Sequence, residues 1–178
     1  VEDLKYRITD PTNKWVEVVG VVGEKRIISK VVVPSSVAIG GEDYEVTSIG
    51  EAAFEWAERL CSITLPSSVT SIGRAAFSEC ESLTSIIIPN SVESIGNDAF
   101  TGCTGLTSIT LPNNIKHILG NVFRECNQLT SIISEIEDPS IISSHSSYGS
   151  GAFSGSAFDG LADACQLTVP YGTRDAYI

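Results

Sequence analysis

The residues able to do chemistry in this chain are few, and most fall on one spacing. Five cysteines stand at Cys61, Cys80, Cys103, Cys126 and Cys165, and Cys80, Cys103 and Cys126 follow one another at 23-residue steps. A cysteine nucleophile needs a thiolate beside a base or a cation. The two histidines are His117, in Asn114-Ile115-Lys116-His117-Ile118, and His145, in a Ser-rich stretch. Neither is placed by spacing beside a cysteine. No C-x-x-C pair occurs, so neither a zinc knuckle nor a redox dithiol is indicated. Parallel side chains stacked ~4.8 Å apart also make a poor disulfide, which wants Cβ atoms ~3.8 Å apart. The expected role is a ladder of small buried thiols.

Carboxylates form the second group: Glu55, Glu58, Glu79, Glu81, Asp98 and Glu125. A glycosidase sets two carboxylates across a cleft, and calcium sites use Asp-rich loops with defined ligand spacing. Neither pattern is present, and the group is expected to be a solvated face on the convex side. P-loop, G-x-G-x-x-G, G-x-S-x-G and H-E-x-x-H motifs do not occur. The expectation is therefore no catalytic residue, no metal ligand and no cofactor.

The elements that must carry these residues are set by a repeat. Phe54, Phe77, Phe100 and Phe123 are spaced by 23 residues, and Ile49, Ile72, Ile95 and Ile118 precede them at a constant offset. Leu60, Leu83, Leu106 and Leu129 share another position, as do Ile63, Ile86, Ile109 and Ile132; Pro66, Pro89 and Pro112 mark a third. A period of this length with Leu, Ile and Cys at set positions is a leucine-rich-repeat solenoid. The alternating, β-branched stretch Leu83 to Ile88 predicts a strand with Ile86 and Ile88 inward and Ser85 and Ile87 outward, ended by Pro89. Val92 and Ile95 predict a short second strand. Asn97-Asp98-Ala99-Phe100 predicts a short helical turn. The fold class expected is a right-handed coil with a parallel β-sheet, a short second strand and short helical turns.

Three regions follow. Leu4 to Ile8 and Trp15 to Val19 flank Asp10-Pro11-Thr12-Asn13, which predicts an N-terminal β-hairpin cap over residues 1–30. The solenoid spans 31–134, with an insertion at 37–45 that delays the repeat. Residues 135–178 are an irregular insertion and a C-terminal capping repeat, with register returning at Phe158, Leu167, Val169 and Pro170.

The recurring phrase L-T-S-I-T-L-P-x-x-V-T-S-I-G-x-x-A-F-x-x-C resembles the BspA-type leucine-rich repeats of bacterial surface proteins. The resemblance covers about 44–134 closely and 31–43 and 157–177 more loosely. The ending Cys165-Gln166-Leu167-Thr168-Val169-Pro170-Tyr171-Gly172 looks like a terminal segment common in that family. It implies an exported, cell-surface or lipid-anchored protein of the adhesin kind, with no catalytic motif to carry over.

A formal charge of −11 over 178 residues disfavours nucleic acid, whose phosphates it would repel, and anionic membranes. No 18-residue apolar run or signal peptide is visible, and the chain holds no methionine. A mature or excised segment, extracellular or at the cell surface, is expected, as a monomer that does not insert in a membrane. The outward strand positions Ser62, Thr64, Ser85, Ile87, Ser108, Thr110, Ser131 and Ile133 form the candidate binding face, with Trp56 as a possible aromatic contact. The partner class expected is a host or bacterial surface protein or glycan, bound through this face or the end loops. The alternatives are a structural spacer that displays another domain and, remotely, a hydrolase with a pocket in 134–160.

Overall fold

The computed structural model describes residues 4–137 and 165–170. In chain order its strands are β1 (Leu4–Asp10), β2 (Trp15–Val21), β3 (Lys30–Val32), β4 (Ser36–Ile39), β5 (Glu42–Ile49), β6 (Ser62–Thr64), β7 (Ser71–Ile72), β8 (Ser94–Ile95), β9 (Ser108–Leu111), β10 (His117–Ile118), β11 (Ser131–Ser134) and β12 (Gln166–Thr168). They fall into two rows because each coil supplies two extended segments. One row comprises the parallel pair β3–β6 and the parallel trio β12–β11–β9. The other runs β2–β5–β7–β8–β10, all parallel, with β1 antiparallel outside β2 and β4 antiparallel on β5. Ser71 pairs with Ser94 and Ile72 with Ile95, so strand register reproduces the sequence repeat. His117 sits in this row opposite Ser94, because Ile118 must pair with Ile95 and carries its neighbour into the strand.

The core is a set of columns. Phe54, Phe77, Phe100 and Phe123 are fully buried and stack face to face, with ring centroids 5.5, 5.3 and 5.9 Å apart and planes within 10° of parallel. Isoleucine columns at 49/72/95/118 and 63/86/109/132 and the leucine column at 60/83/106/129 bury with them. Full burial of each such side chain is worth about 1.5–3 kcal/mol, and it is available only when a neighbouring coil covers it.

The expected insertion is the β4–β5 hairpin. Its tip, Gly40-Gly41, has φ +63° and +88°, the two left-handed residues that a tight hairpin loop requires. The N-terminal hairpin turns at Asp10, whose carboxylate accepts the Thr12 and Asn13 N–H groups at 2.8 and 2.9 Å.

Two expectations are corrected. The Phe-bearing segments are not helical: among the described residues the only helical element is a 3₁₀ turn at Lys25–Ile27. Among the described residues every Phe-bearing segment holds two left-handed residues. Ala52, Ala75, Asp98 and Asn121 have φ of 51–59°, while Trp56, Glu79, Gly102 and Glu125 have φ of 59–72°. A right-handed helix needs φ near −60° throughout. The alternation sends every second N–H to the following coil instead. Ala52, Phe54 and Trp56 donate to the carbonyls of Arg74, Ala76 and Ser78 at 2.8–2.9 Å, and the pattern recurs from 75–79 to 97–101 and from 98–102 to 120–124. This third side of the coil is therefore a hydrogen-bonded ladder.

The second correction concerns Leu83 to Ile88, where no strand forms. Ile86 and Ile88 are buried and Ile87 is exposed as alternation requires, so the backbone is extended. Side-chain alternation, however, encodes only which face is inside. A ladder also requires the neighbouring strand at ~4.8 Å, and the N–H groups of Ser85 to Ile88 form no bond to either neighbouring coil.

Candidate binding face

The first strand row presents the face. β-Strands send alternate side chains to opposite sides, so Ile63, Ile109 and Ile132 point into the core while their neighbours point out. Ser62, Thr64, Ser85, Ile87, Ser108, Thr110 and Ile133 are exposed, and Ser131 is half-buried. Register makes two columns of them. Lys30 and Ser62 are paired, as are Ser108, Ser131 and Gln166; Val32 and Thr64 are paired, as are Thr110, Ile133 and Thr168. Ser85 and Ile87 hold the matching repeat positions between them. The second column is β-branched throughout. Of its apolar members Ile87 is 85% exposed, Val32 69% and Ile133 43%. Val32 and Lys30 extend the face beyond the residues assigned from sequence. The signal for them was available, since Val31 and Val33 match Ile63 and Leu65 and leave Val32 as the counterpart of Thr64.

No acid or base stands on the face between Lys30 and Gln166. Its polar atoms are hydroxyls, and the neighbouring threonines partly use theirs on the backbone. Thr107 and Thr130 donate to the carbonyls of Thr84 and Thr107 at 3.4 and 3.3 Å. The chemistry offered is apolar contact plus adaptable hydroxyl hydrogen bonding.

Trp56 lies elsewhere. It occupies the left-handed position shared with Glu79, Gly102 and Glu125 and is 47% exposed. Glu79 beside it has its carboxyl pushed up, first by burial and then by the like charges of Glu125, Glu81 and Glu55. Gly102 gives Glu79 room, because a Cβ there would come within 2.5 Å of the Glu79 carboxylate. Other carboxylates are paired across coils. Arg74 lies 3.1 Å from Glu51 and 4.0 Å from Asp98, and Arg26 lies 3.4 Å from Glu58. Among the described residues no group of three or more His, Cys, Asp or Glu side chains could hold a metal ion.

The cysteine column is internal. Cys80, Cys103 and Cys126 are buried free thiols, donating to the carbonyls of Phe54, Phe77 and Phe100 at 3.3, 3.1 and 3.1 Å. Burial pushes Cys80 and Cys126 up to about 12 and Cys103 well above the usual thiol range, so these thiols stay protonated. His145 and nearly all of the 134–160 segment, from 138 onward, lie outside the described residues.

The comparisons with known proteins agree with this architecture. Residues 35–159 match the BspA type leucine rich repeat region in six copies. The chain belongs to this family. A leucine-rich repeat protein from Bacteroides capillosus is 31% identical, with 76% of this chain and 96% of that chain covered and a TM-score of 0.65. The T. pallidum leucine rich repeat protein is 29% identical over 73% of this chain and 68% of that one, with a TM-score of 0.59. A leucine rich cell surface protein from Faecalibacterium prausnitzii shares the fold at 22% identity; 94% of this chain covers 41% of that one, with a TM-score of 0.64. No curated protein matches the chain. Among the described residues no helix is long and apolar enough to cross a membrane.

Proposed function

We propose that this chain is a non-enzymatic interaction module of a bacterial cell-surface protein. It binds a protein or glycan partner through the first strand row, at Ser62, Thr64, Ser85, Ile87, Ser108, Thr110, Ser131 and Ile133. The observation that carries the reading is Ile87. A large apolar residue 85% exposed at the middle of an uncharged face gains nothing for the coil beneath it. Val32, Ile87 and Ile133 place apolar side chains at every second coil of this column, among threonines, and solenoids present such extended faces to partners. Membership of a family with cell-surface relatives supports the location.

The test is a binding screen of the chain against extracellular-matrix proteins, mucins and a glycan array, repeated with Ile87→Glu and Ser108→Arg. The expected result is a saturable partner whose affinity falls at least about tenfold in either variant, the loss typical of a central contact of ~1.4 kcal/mol or more, while thermal melting is unchanged. The face holds none of the Trp, Tyr or Arg residues that dominate tight interfaces, and this favours a second reading, a structural spacer. Retention of all binding by both variants would move the site to the end loops, and absence of any partner for the folded chain would select the spacer.

A further inference from the structure

The N-terminal strand ends its sheet without being finished. β1 is the last strand of its row and pairs only with β2. Among the described residues its backbone bonds to nothing on the other edge. A seven-residue strand with one free edge is a template for another strand. The side chains behind that edge are also half-covered. Val16 and Val18 of β2 are completely buried, yet Ile8, which pairs with Val16, is 43% exposed. Leu4 and Tyr6 pack against the core only in part. The core thus runs out at β1, although the inner face of the strand continues it.

The alternate positions of β1 are basic. Lys5 and Arg7 project from the opposite face of the strand. Arg7 pairs with Glu17 of β2, while Lys5 has no ion pair among the described residues and lies close enough to Lys25 to feel its charge. Residues 1–30 hold six of the eleven Lys and Arg residues, so this end is the least acidic part of an acidic chain. A second copy does not suit the edge. Antiparallel pairing of β1 with itself about Tyr6 would set Lys5 opposite Arg7, and like charges directly opposite destabilise a strand pair.

We infer that β1 accepts an added strand from a partner protein, an extended segment whose alternate residues are apolar and acidic. Its apolar side chains cover Leu4, Tyr6 and Ile8, its carboxylates face Lys5 and Arg7, and its backbone completes the ladder, the mode by which sheet edges capture peptides. This surface is separate from the first strand row and stands whether or not that row binds a partner.

The probe is a nine-residue capped peptide of alternating valine and glutamate, titrated against the intact chain with backbone amide NMR shifts and hydrogen exchange as readouts. A scrambled peptide of the same composition is the control. Saturable binding with new protection confined to β1, weakened about fivefold or more by Lys5→Glu and by Ile8→Lys, is expected. Lys5→Glu should also gain binding to an alternating valine–lysine peptide. Ile87→Glu should leave all of this unchanged. The inference is overturned if binding fails to saturate at millimolar peptide, if the scrambled peptide binds equally well, or if protection appears away from β1.

Discussion

The two strand rows are built from the same kinds of residue but close differently. In the second row β5, β7, β8 and β10 pair without a gap, and Gly73 and Gly96 continue the ladder into the preceding coils at 2.7 and 2.9 Å. In the first row the ladder opens at Ser85 to Ile88, between β6 and β9. The coils do not separate there. Phe77 and Phe100 stack at 5.3 Å, the shortest of the three ring contacts, and Cys103 donates to the Phe77 carbonyl. The difference teaches that the side-chain columns and the left-handed turn ladder hold adjacent coils in register, while a strand ladder on one side can be dispensed with.

Removing a column residue and removing a face residue at the gap should therefore differ most. Phe100→Ala takes a fully buried ring from the middle of its stack and should lose about 3–5 kcal/mol. Ile87→Ala, one strand away but exposed, should stay within ~0.5 kcal/mol. Urea unfolding of both variants measures the contrast, and equal losses would deny it. Between these lies Gly73→Ala. A Cβ at Gly73 would meet the Gly50 carbon at 2.7 Å and the Glu51 nitrogen at 2.8 Å. These are backbone atoms of the continuous row and have no rotamer to yield, so a loss of about 1–3 kcal/mol is expected.

The columns should also respond to pH where the face does not. The folded-state pKa values of Cys80 and Cys126 are raised to about 12 from about 8.5 for a free thiol. The protonated form is the one the fold buries. Its contribution is thus complete below about pH 8.5 and is lost as pH climbs toward 12, because the unfolded chain releases these protons first. Thermal melts between pH 8 and 11 should fall progressively. The double variant Cys80→Ala and Cys126→Ala should show a shallower slope, and Ala is tolerable because Ala57 already fills that column position one coil earlier. An unchanged slope would mean that other groups govern the alkaline limb.

Glycine scanning of the left-handed column sharpens the account of the turns. Glu125 holds φ +62°, where an L-residue is strained and Gly102 is not. Glu125→Gly should raise stability by about 0.5–1 kcal/mol, even though it gives up the exposed pair with Arg124. Gly102→Ala should cost at least as much, since it restores the strain and crowds Glu79.

What the sequence made legible was whatever repeats through burial. The Phe, Ile, Leu and Cys columns, the N-terminal hairpin and the place of the 37–45 insertion could be read because apolar spacing reports what must face inward. The turns were misread because Asn97-Asp98-Ala99-Phe100 has the composition of a helix start. Asp98 and Asn121 are residue types that accept the left-handed backbone, but at Ala52 and Ala75 it is imposed by hydrogen bonding to the next coil and no local preference encodes it. The face was legible as positions, since Ser85 and Ile87 fall out of alternation. The broken ladder behind Ile87 was not, because a missing inter-coil bond leaves no mark on side-chain pattern. The open edge of β1 was hidden for a similar reason. A hairpin was evident from Leu4 to Val19, but which of its strands would lie outermost depends on β2 finding β5.

The gentlest test needs no substitution. Amide protection follows the bonds that must open for exchange. Ile109 and Leu111 face β11 in the paired β9 strand, and their exchange should require opening of the β9–β11 ladder. The amides of Ser85 to Ile88 have no such bond to break, although the side chains of Ile86 and Ile88 are as buried as those of the paired strands. Exchange at 85–88 should therefore be faster by orders of magnitude under native conditions, while the Phe77 and Phe100 amides on the turn ladder stay protected on both sides of the gap. If 85–88 exchanged as slowly as Ile109 and Leu111, the two rows would be equivalent in solution. The stability contrast between Phe100 and Ile87 would then have to be attributed to burial alone.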